Sequence, residues 1–426
     1  MADSSLPPQP APPPGSTFAP FRYPAFRAIW IANLFSSLGA TIQSVAAAWL
    51  MTDLTTSHQL VAMVQASTTM PIMLFGVFAG AIADNYDRRR VMLAAQIGML
   101  IVSAVLAMLS WHGDITPLSL LVMTLMLGIG TALNSPAWQA SVRQQVGPRD
   151  LPQAISLNTI AFNLARSVGP ALGGLLISLW DVSLAFAVNA ISFIAMIVVL
   201  WRWQPEVAEP QRQPMLPAIL TGARFCLHSA PIRRVLIRGG VLGVGVAGYQ
   251  ALIPAVVRER LHGNEIDFGL ILCSFGIGSI LAALVVSKAR RRWGSEMIVT
   301  LGTMAFVAAQ IELSLAVNLL VTLPVAVLAG AGWVAALTTI NVAMQMRSPD
   351  AILGRCLSLY QAITFGGMAM GAWVWGALAD WQGLPFALRS AAGFLAITLI
   401  VLRFAAPMPK PGEGRISDEA YNSRAT

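Results

Sequence analysis

The chain has 426 residues, of which 11% are charged and 56% are hydrophobic. Soluble proteins carry about 25% charged residues, and one globular core cannot hide such an apolar surplus, because surface grows too quickly with size. These numbers argue against a soluble enzyme, a disordered chain or a disulfide scaffold, and for a polytopic helical membrane protein. The three cysteines, Cys226, Cys273 and Cys356, have neither disulfide nor metal-ligand spacing. The net charge of +8 arises from 27 cations, only two of them lysine, set in short arginine runs between apolar segments. That is the pattern of membrane topology, not of a nucleic-acid-binding face. No metal, cofactor or nucleic acid is expected.

The first 24 residues hold eight prolines and no cation before Arg22, which reads as a disordered tail, not a signal peptide. A membrane helix needs about 20 apolar residues. Uncharged runs of that order occur at Ala28–Thr52, Leu54–Ala83, Val91–His112, Ile115–Val142, Phe268–Ser287 and Cys356–Ala379, with a shorter one at Gly239–Val257. Leu151–Trp201 predicts two helices broken at Trp180–Ser183, and Met297–Met346 two more broken near Asn318. A last helix follows Pro385 and ends near Arg403. The expectation is an all-α membrane protein of twelve transmembrane helices.

An even number of crossings puts both termini on one side. The cations Arg88–Arg90, Arg143, Arg149, Arg202, Arg212, Arg224, Arg233, Arg234, Arg238, Lys288, Arg290–Arg292, Arg347 and Arg355 all fall in alternate loops. The opposite loops offer Arg258, Arg260 and Arg389. The positive-inside rule therefore predicts cytoplasmic termini and a cytoplasmic central loop in an inner membrane. That loop, residues 204–231, separates an N-terminal half (25–203) from a C-terminal half (232–404), with tails at 1–24 and 405–426. The halves echo each other at an offset of about 200 residues, Gly130 with Gly330 and Gln145 with Gln345. Two parallel six-helix halves with a site between them near mid-membrane form a transporter architecture.

After the second helix the chain reads Gly80-Ala81-Ile82-Ala83-Asp84-Asn85-Tyr86-Asp87-Arg88-Arg89-Arg90. Gly80 permits close helix approach. Asp84 can face the positive N-terminus of a helix from the other half, an attraction of about 0.3–1 kcal/mol. The arginines anchor the loop or serve only as topology markers. Further on stand Gly130-Thr131-Ala132-Leu133-Asn134-Ser135-Pro136-Ala137-Trp138 and Val146-Gly147-Pro148-Arg149-Asp150-Leu151. Asn158, Asn163-Leu164-Ala165-Arg166 and Gly169-Pro170-Ala171-Leu172-Gly173-Gly174 follow. The first motif resembles the loop 2–3 signature of the major facilitator superfamily. The later ones resemble its enterobactin-exporter-like, macrolide-efflux-like branch, over about Phe21 to Arg403. The resemblance implies two pseudo-symmetric six-helix halves and proton-driven export. It implies a cavity lined by helices 1, 4, 7 and 10 and flanked by 2, 5, 8 and 11. Two departures stand out. Helix 4 reads Thr124-Leu125-Met126-Leu127-Gly128-Ile129-Gly130, without the arginine often found in drug–proton antiporters. In the second-half copy of the loop signature, Ala283 and Ser287 stand where Gly80 and Asp84 would be.

Ala165, Gly169 and Gly173 recur every four residues, a stripe of small side chains predicted to pack against a helix of the opposite half as a seal or hinge. Arg166 lies about 21 Å along the fifth helix, near mid-membrane, where a lone charge marks function by default. Asn158, Phe162, Arg166 and Gly169 share a face. Arg166 can bind an anionic substrate, hold a coupling carboxylate, or satisfy helix-end carbonyls. Glu312 and Asp53 are further coupling candidates. Glu312 is expected to snorkel from a peripheral helix, and Asp53, like Asp380, to sit at an outer interface. Asn33, Gln43, Asn134, Trp138, Tyr249, Gln250, Trp333, Tyr360 and Gln361 are cavity candidates, amide and aromatic groups suited to a bulky, partly apolar molecule.

The sequence contains no phosphate-binding G-x-x-x-x-G-K-[ST] loop, so ATP is not the expected energy source. The expected protein is a monomeric secondary transporter in the lipid bilayer, exporting a siderophore- or drug-like molecule by alternating access, with the proton as coupling ion. Import or lipid flipping by the same fold, and a non-transporting sensor, are the alternatives.

Overall fold

The computed structural model describes residues 18–205, 223–349, 352–409 and 413, with the side chains at 77, 81, 83 and 84 outside that set. Most of the expected tails and of the central loop therefore lie outside the described residues. The first half comprises α1 (Pro24–Leu54), α2 (His58–Asn85), α3 (Arg88–His112), α4 (Pro117–Ser141), α5 (Leu151–Leu179) and α6 (Val182–Arg202). After a helical turn at 223–228, the second half begins with α7 (Ala230–Glu259). The run Glu265–Leu315 is interrupted at Gly294, where φ is 80° and ψ 162°, giving α8 (265–293) and α9 (295–315). Then come α10 (Leu319–Gln345), α11 (Leu353–Gln382) and α12 (Leu384–Ala405). The expected twelve helices are all present. Ten described helical runs are long and apolar enough to cross a membrane; the run Glu265–Leu315 counts once among them and supplies two crossings. With α2, 28 residues and so about 42 Å long, this makes twelve.

The ends are written locally. Proline, pre-set for the first turn, opens α1, α4, α5, α7 and α12. Side-chain caps hold α2 (Ser57), α3 (Asp87), α6 (Asp181) and α10 (Asn318). Thr116 and Asn264 form capping boxes at α4 and α8. α8 runs about two turns past Ser287, carrying Lys288 and Arg290–Arg292 on helix until Gly294 takes up the left-handed backbone that ends it.

The packing repeats between halves. α1 meets α5 and α6 as α7 meets α11 and α12; α3 meets α6, and the α8–α9 run meets α12; α2 meets α4, and the same run meets α10. The halves touch chiefly through α2 with α11 and α5 with α8, a pair of contacts that the same pseudo-twofold exchanges. The main apolar core runs through both halves, and each half adds a cluster of its own. In the first, Gln43 Oε1 accepts hydrogen bonds from Ser103 Oγ (2.7 Å) and Asn189 Nδ2 (2.5 Å), tying α1 to α3 and α6. In the second, Tyr249, Phe275, Phe306 and Trp333 form a chain of rings across α7, α8, α9 and α10, with centroids 5.7–6.4 Å apart.

Candidate functional site

α5 presents different faces to different neighbours, and this organises the site. One face meets α1. Thr41 Oγ1 donates to the Ala165 carbonyl at 3.2 Å. A Cβ on Gly169 would collide with Thr41, and one on Gly173 would stand 3.2 Å from Ile42 Cα and Val45 Cβ. The stripe Ala165–Gly169–Gly173 thus packs within its own half, a correction to the expectation that it faces the opposite half. The opposite half is met further round the helix. A Cβ on Gly276 of α8 would lie 2.5 Å from Ser167 Cα, and one on Gly269 would lie 2.7 Å from the Pro170 carbonyl. Gly174 abuts the Glu265 backbone. Small residues serve both faces because both crossings bring backbones together.

Between these two contacts, on the inner side, lie Phe162, Arg166 and Thr159, all exposed. The face away from them is apolar and exposed at Leu164, Val168, Leu172 and Leu175, as suits lipid. α1 divides in the same way. Asn33, Ser37, Ala40 and Ser44 form its inner stripe, and Ile31 and Phe35 are exposed on the other side. The Arg166 guanidinium stands over the Phe162 ring at 5.5 Å. Nearby, Asn158 Oδ1 is buried without a hydrogen-bond partner, and Asn163 Nδ2 donates to the Thr159 carbonyl of its own helix at 2.9 Å.

The halves are laced together at the end bearing the α1–α2, α7–α8 and α11–α12 turns. Trp49 Nε1 donates to Glu265 Oε1 at 3.0 Å, and its ring stacks on Phe268. Arg258 pairs with Asp53, donates to Thr52 Oγ1 at 3.0 Å and covers the Trp49 ring. His58 Nε2 lies 2.9 Å from Glu259 Oε1. Asp380 of α11 accepts from Ser57 Oγ (2.7 Å), His58 N (2.5 Å) and Gln59 N (3.3 Å). A carboxylate of one half therefore caps the N-terminus of a helix of the other, where the helix dipole favours an anion. Asp53 and Asp380 are inter-half contacts, not isolated interfacial groups. Sequence reasoning missed this lacing; its signal was the alternation of acid, base and histidine in the short turns at one end.

The other end differs. A Cβ on Gly80 would lie 4.0 Å from Ser358 Oγ of α11, so the glycine sits beside the opposite half. The Asp84 side chain lies outside the described residues. Asp87 caps α3, accepting from Arg89 N at 2.9 Å, and Arg90 lies 3.6 Å from it. Arg88 donates to the Ala140 carbonyl (3.2 Å), and Arg89 to the Leu200 (2.8 Å) and Trp201 (2.6 Å) carbonyls. Beyond marking topology, two of these arginines cap the C-termini of α4 and α6. In the second half, Arg238 is buried, bonded to Glu296 (2.8 Å) and to the Ala406 and Leu402 carbonyls. Arg347 donates to the Pro409 carbonyl at 3.0 Å, clamping the segment after α12. Burial lowers the Arg347 guanidinium from its ordinary value.

Several cavity candidates are used elsewhere. Gln43 is the buried hub of the first half, and Trp138 packs with Met92, Met196 and Leu200. Asn134 is half-buried with Oδ1 enclosed and unpaired. Tyr249 and Trp333 belong to the second-half ring chain; Tyr360 is buried against Gly239, its hydroxyl 3.4 Å from the Leu337 carbonyl. Asn33 and Gln250 are half-buried and Gln361 is exposed. Glu312 does not snorkel. It is buried, Oε1 accepts from Thr322 Oγ1 at 2.8 Å, and Oε2 has no partner. The outer helix turns this acid inward because α10 covers it.

Residues 15–423 match the transmembrane secretion effector family. The chain belongs to this family, within the major facilitator superfamily. It is 26% identical over 392 residues to the enterobactin exporter EntS of Shigella boydii, covering 89% of this chain and 91% of that one. It is 27% identical over 274 residues to the staphyloferrin A transporter of Staphylococcus aureus, covering 63% and 68%. Among solved structures it resembles the nucleoside transporter NupG (TM-score 0.70, 13% identity, 88% of this chain and 98% of that one). It also resembles an inward-facing bacterial homologue of the lysosomal transporter Spinster (TM-score 0.67, 15% identity, 92% and 97%). These relatives are transporters, not enzymes, and the chain is a multi-pass membrane protein of major facilitator type.

Proposed function

We propose that this protein exports a siderophore-like organic molecule across the cytoplasmic membrane by alternating access, with proton antiport as the driving reaction and a monomer as the working unit. The observation that carries the reading is the asymmetry between the two ends of the bundle: hydrogen bonds and ion pairs lace the halves at the end of the α1–α2, α7–α8 and α11–α12 turns, while α5 and α1 turn polar side chains inward along their length. With the termini cytoplasmic, as the arginine distribution favours, this is an inward-facing state awaiting cargo. The siderophore class rests on the similarity to the enterobactin exporter over 89% of this chain and to the staphyloferrin A transporter over 63% of it. Buried Glu312, with one free carboxylate oxygen, is the leading described acid for proton exchange. The test is export by producing cells lacking the gene, with and without its return on a plasmid, and uptake into inverted vesicles with an imposed proton gradient. Restored secretion that collapses with a protonophore supports the reading. Identical secretion with and without the gene overturns it.

A further inference from the structure

We propose that Arg166 is the residue through which the cavity selects its cargo, binding a carboxylate-type oxyanion and so restricting transport to organic anions. The inference rests on the transport reading above and names the chemistry of that same site.

Position fixes the first part. Arg166 is the sixteenth of 29 residues of α5, about 22 Å from the Leu151 end. At this level Thr41 bonds the neighbouring Ala165 carbonyl from α1, and a Cβ on Gly276 would approach the Arg166 carbonyl to 3.0 Å from α8. Arg166 therefore projects at the middle of the span, between one helix of each half. Successive residues turn by about 100°, which places its side chain with Phe162 and Thr159 and opposite Leu164 and Val168. It shares the cavity with the Asn33–Ser37–Ala40–Ser44 stripe, not the lipid with Ile31 and Phe35.

Pairing fixes the second. A cation at this depth is costly unless matched or hydrated. Several other arginines have a partner acid: Arg22 has Asp150, Arg234 has Glu413, Arg238 has Glu296 and Arg258 has Asp53. Arg166 does not. Among the described residues it has no hydrogen bond and no acid at ion-pair distance, and its one contact of this kind is with the Phe162 ring. The side chain stays exposed to the cavity instead of being covered. A guanidinium laid on an aromatic face keeps its planar edge free, and that edge matches two oxygens of a carboxylate at once. The apolar ring beside it suits a ligand whose anion is attached to an aromatic or aliphatic body.

The test uses the full-length protein in nanodiscs and thermal unfolding as the readout, with salicylate as the probe and salicylamide as its uncharged partner of the same size. Salicylate is expected to raise the unfolding temperature of the unsubstituted protein. Arg166→Gln should need at least tenfold more salicylate for the same shift, equivalent to about 1.4 kcal/mol, while salicylamide treats both proteins alike. Arg166→Lys, which keeps the charge and loses the fork, should fall between them, and it decides the matter if Arg166→Gln is not recovered folded. Equal responses to the two probes, no response to salicylate, or an undiminished response in Arg166→Gln would each overturn the proposal. Such a result alongside intact export by cells removes the anion selectivity alone; loss of the gene without effect on secretion removes the transport reading itself.

Discussion

Replacing Asp380 by asparagine tests whether the laced end is a gate or a fixed weld. Asp380 accepts from Ser57 Oγ, His58 N and Gln59 N, and its Oδ1 stands 3.2 Å from His58 Nδ1. Asparagine keeps the shape and one acceptor oxygen but loses the charge. Hydrogen bonds to charged groups contribute about 1.5–3 kcal/mol against about 0.5–1.5 for neutral ones, and an anion at a helix N-terminus adds about 0.3–1. The site is about a third exposed, so solvent screening trims these values, leaving a loss of about 2 kcal/mol. That is about a thirtyfold shift from the closed toward the open arrangement at this end. Spin labels on Thr56→Cys and His262→Cys, with Cys226, Cys273 and Cys356 changed to serine, report the separation across it. Asp380→Asn should broaden the distance distribution toward longer values. A distribution superimposable on that of the parent would refute the reasoning.

Asp84→Asn should lower transport while leaving yield and membrane insertion intact, because it removes only a charge; a full transport rate in vesicles would take Asp84 out of the switch. Gly276→Val should destabilise the protein by about 1–3 kcal/mol through overpacking, since even a Cβ there comes within 2.5 Å of the Ser167 backbone; an unchanged unfolding temperature would show that α5 and α8 can separate at no cost. An impermeant thiol reagent should label a cysteine at Asn264 in intact cells and spare one in the central loop. The reverse pattern would invert the topology.

The twelve crossings and the breaks between most of them were legible because hydropathy is a property of short stretches of chain. The break at Trp180–Ser183 and that near Asn318 fall where the helices end. Arg166 also stood out from sequence, because a charge inside an apolar run is conspicuous before any packing is known.

Which face meets which neighbour was decided only by the assembled bundle. Ala165–Gly169–Gly173 and Ser167–Pro170–Gly174 are both small-residue stripes on one helix, about a third of a turn or more apart; the rotation of α5 that assigns one to α1 and the other to α8 comes from packing against both at once. Gln43 and Tyr249 have the composition of cavity residues, yet Ser103 and Asn189 draw the first into its own half, and Phe275 and Phe306 enclose the second. Glu312 reads as lipid-facing until α10 brings Thr322 beside it. The lacing of Asp380 onto the N-terminus of α2 joins residues more than 300 positions apart. No local pattern carries that pairing, because it exists only when the two halves close on each other.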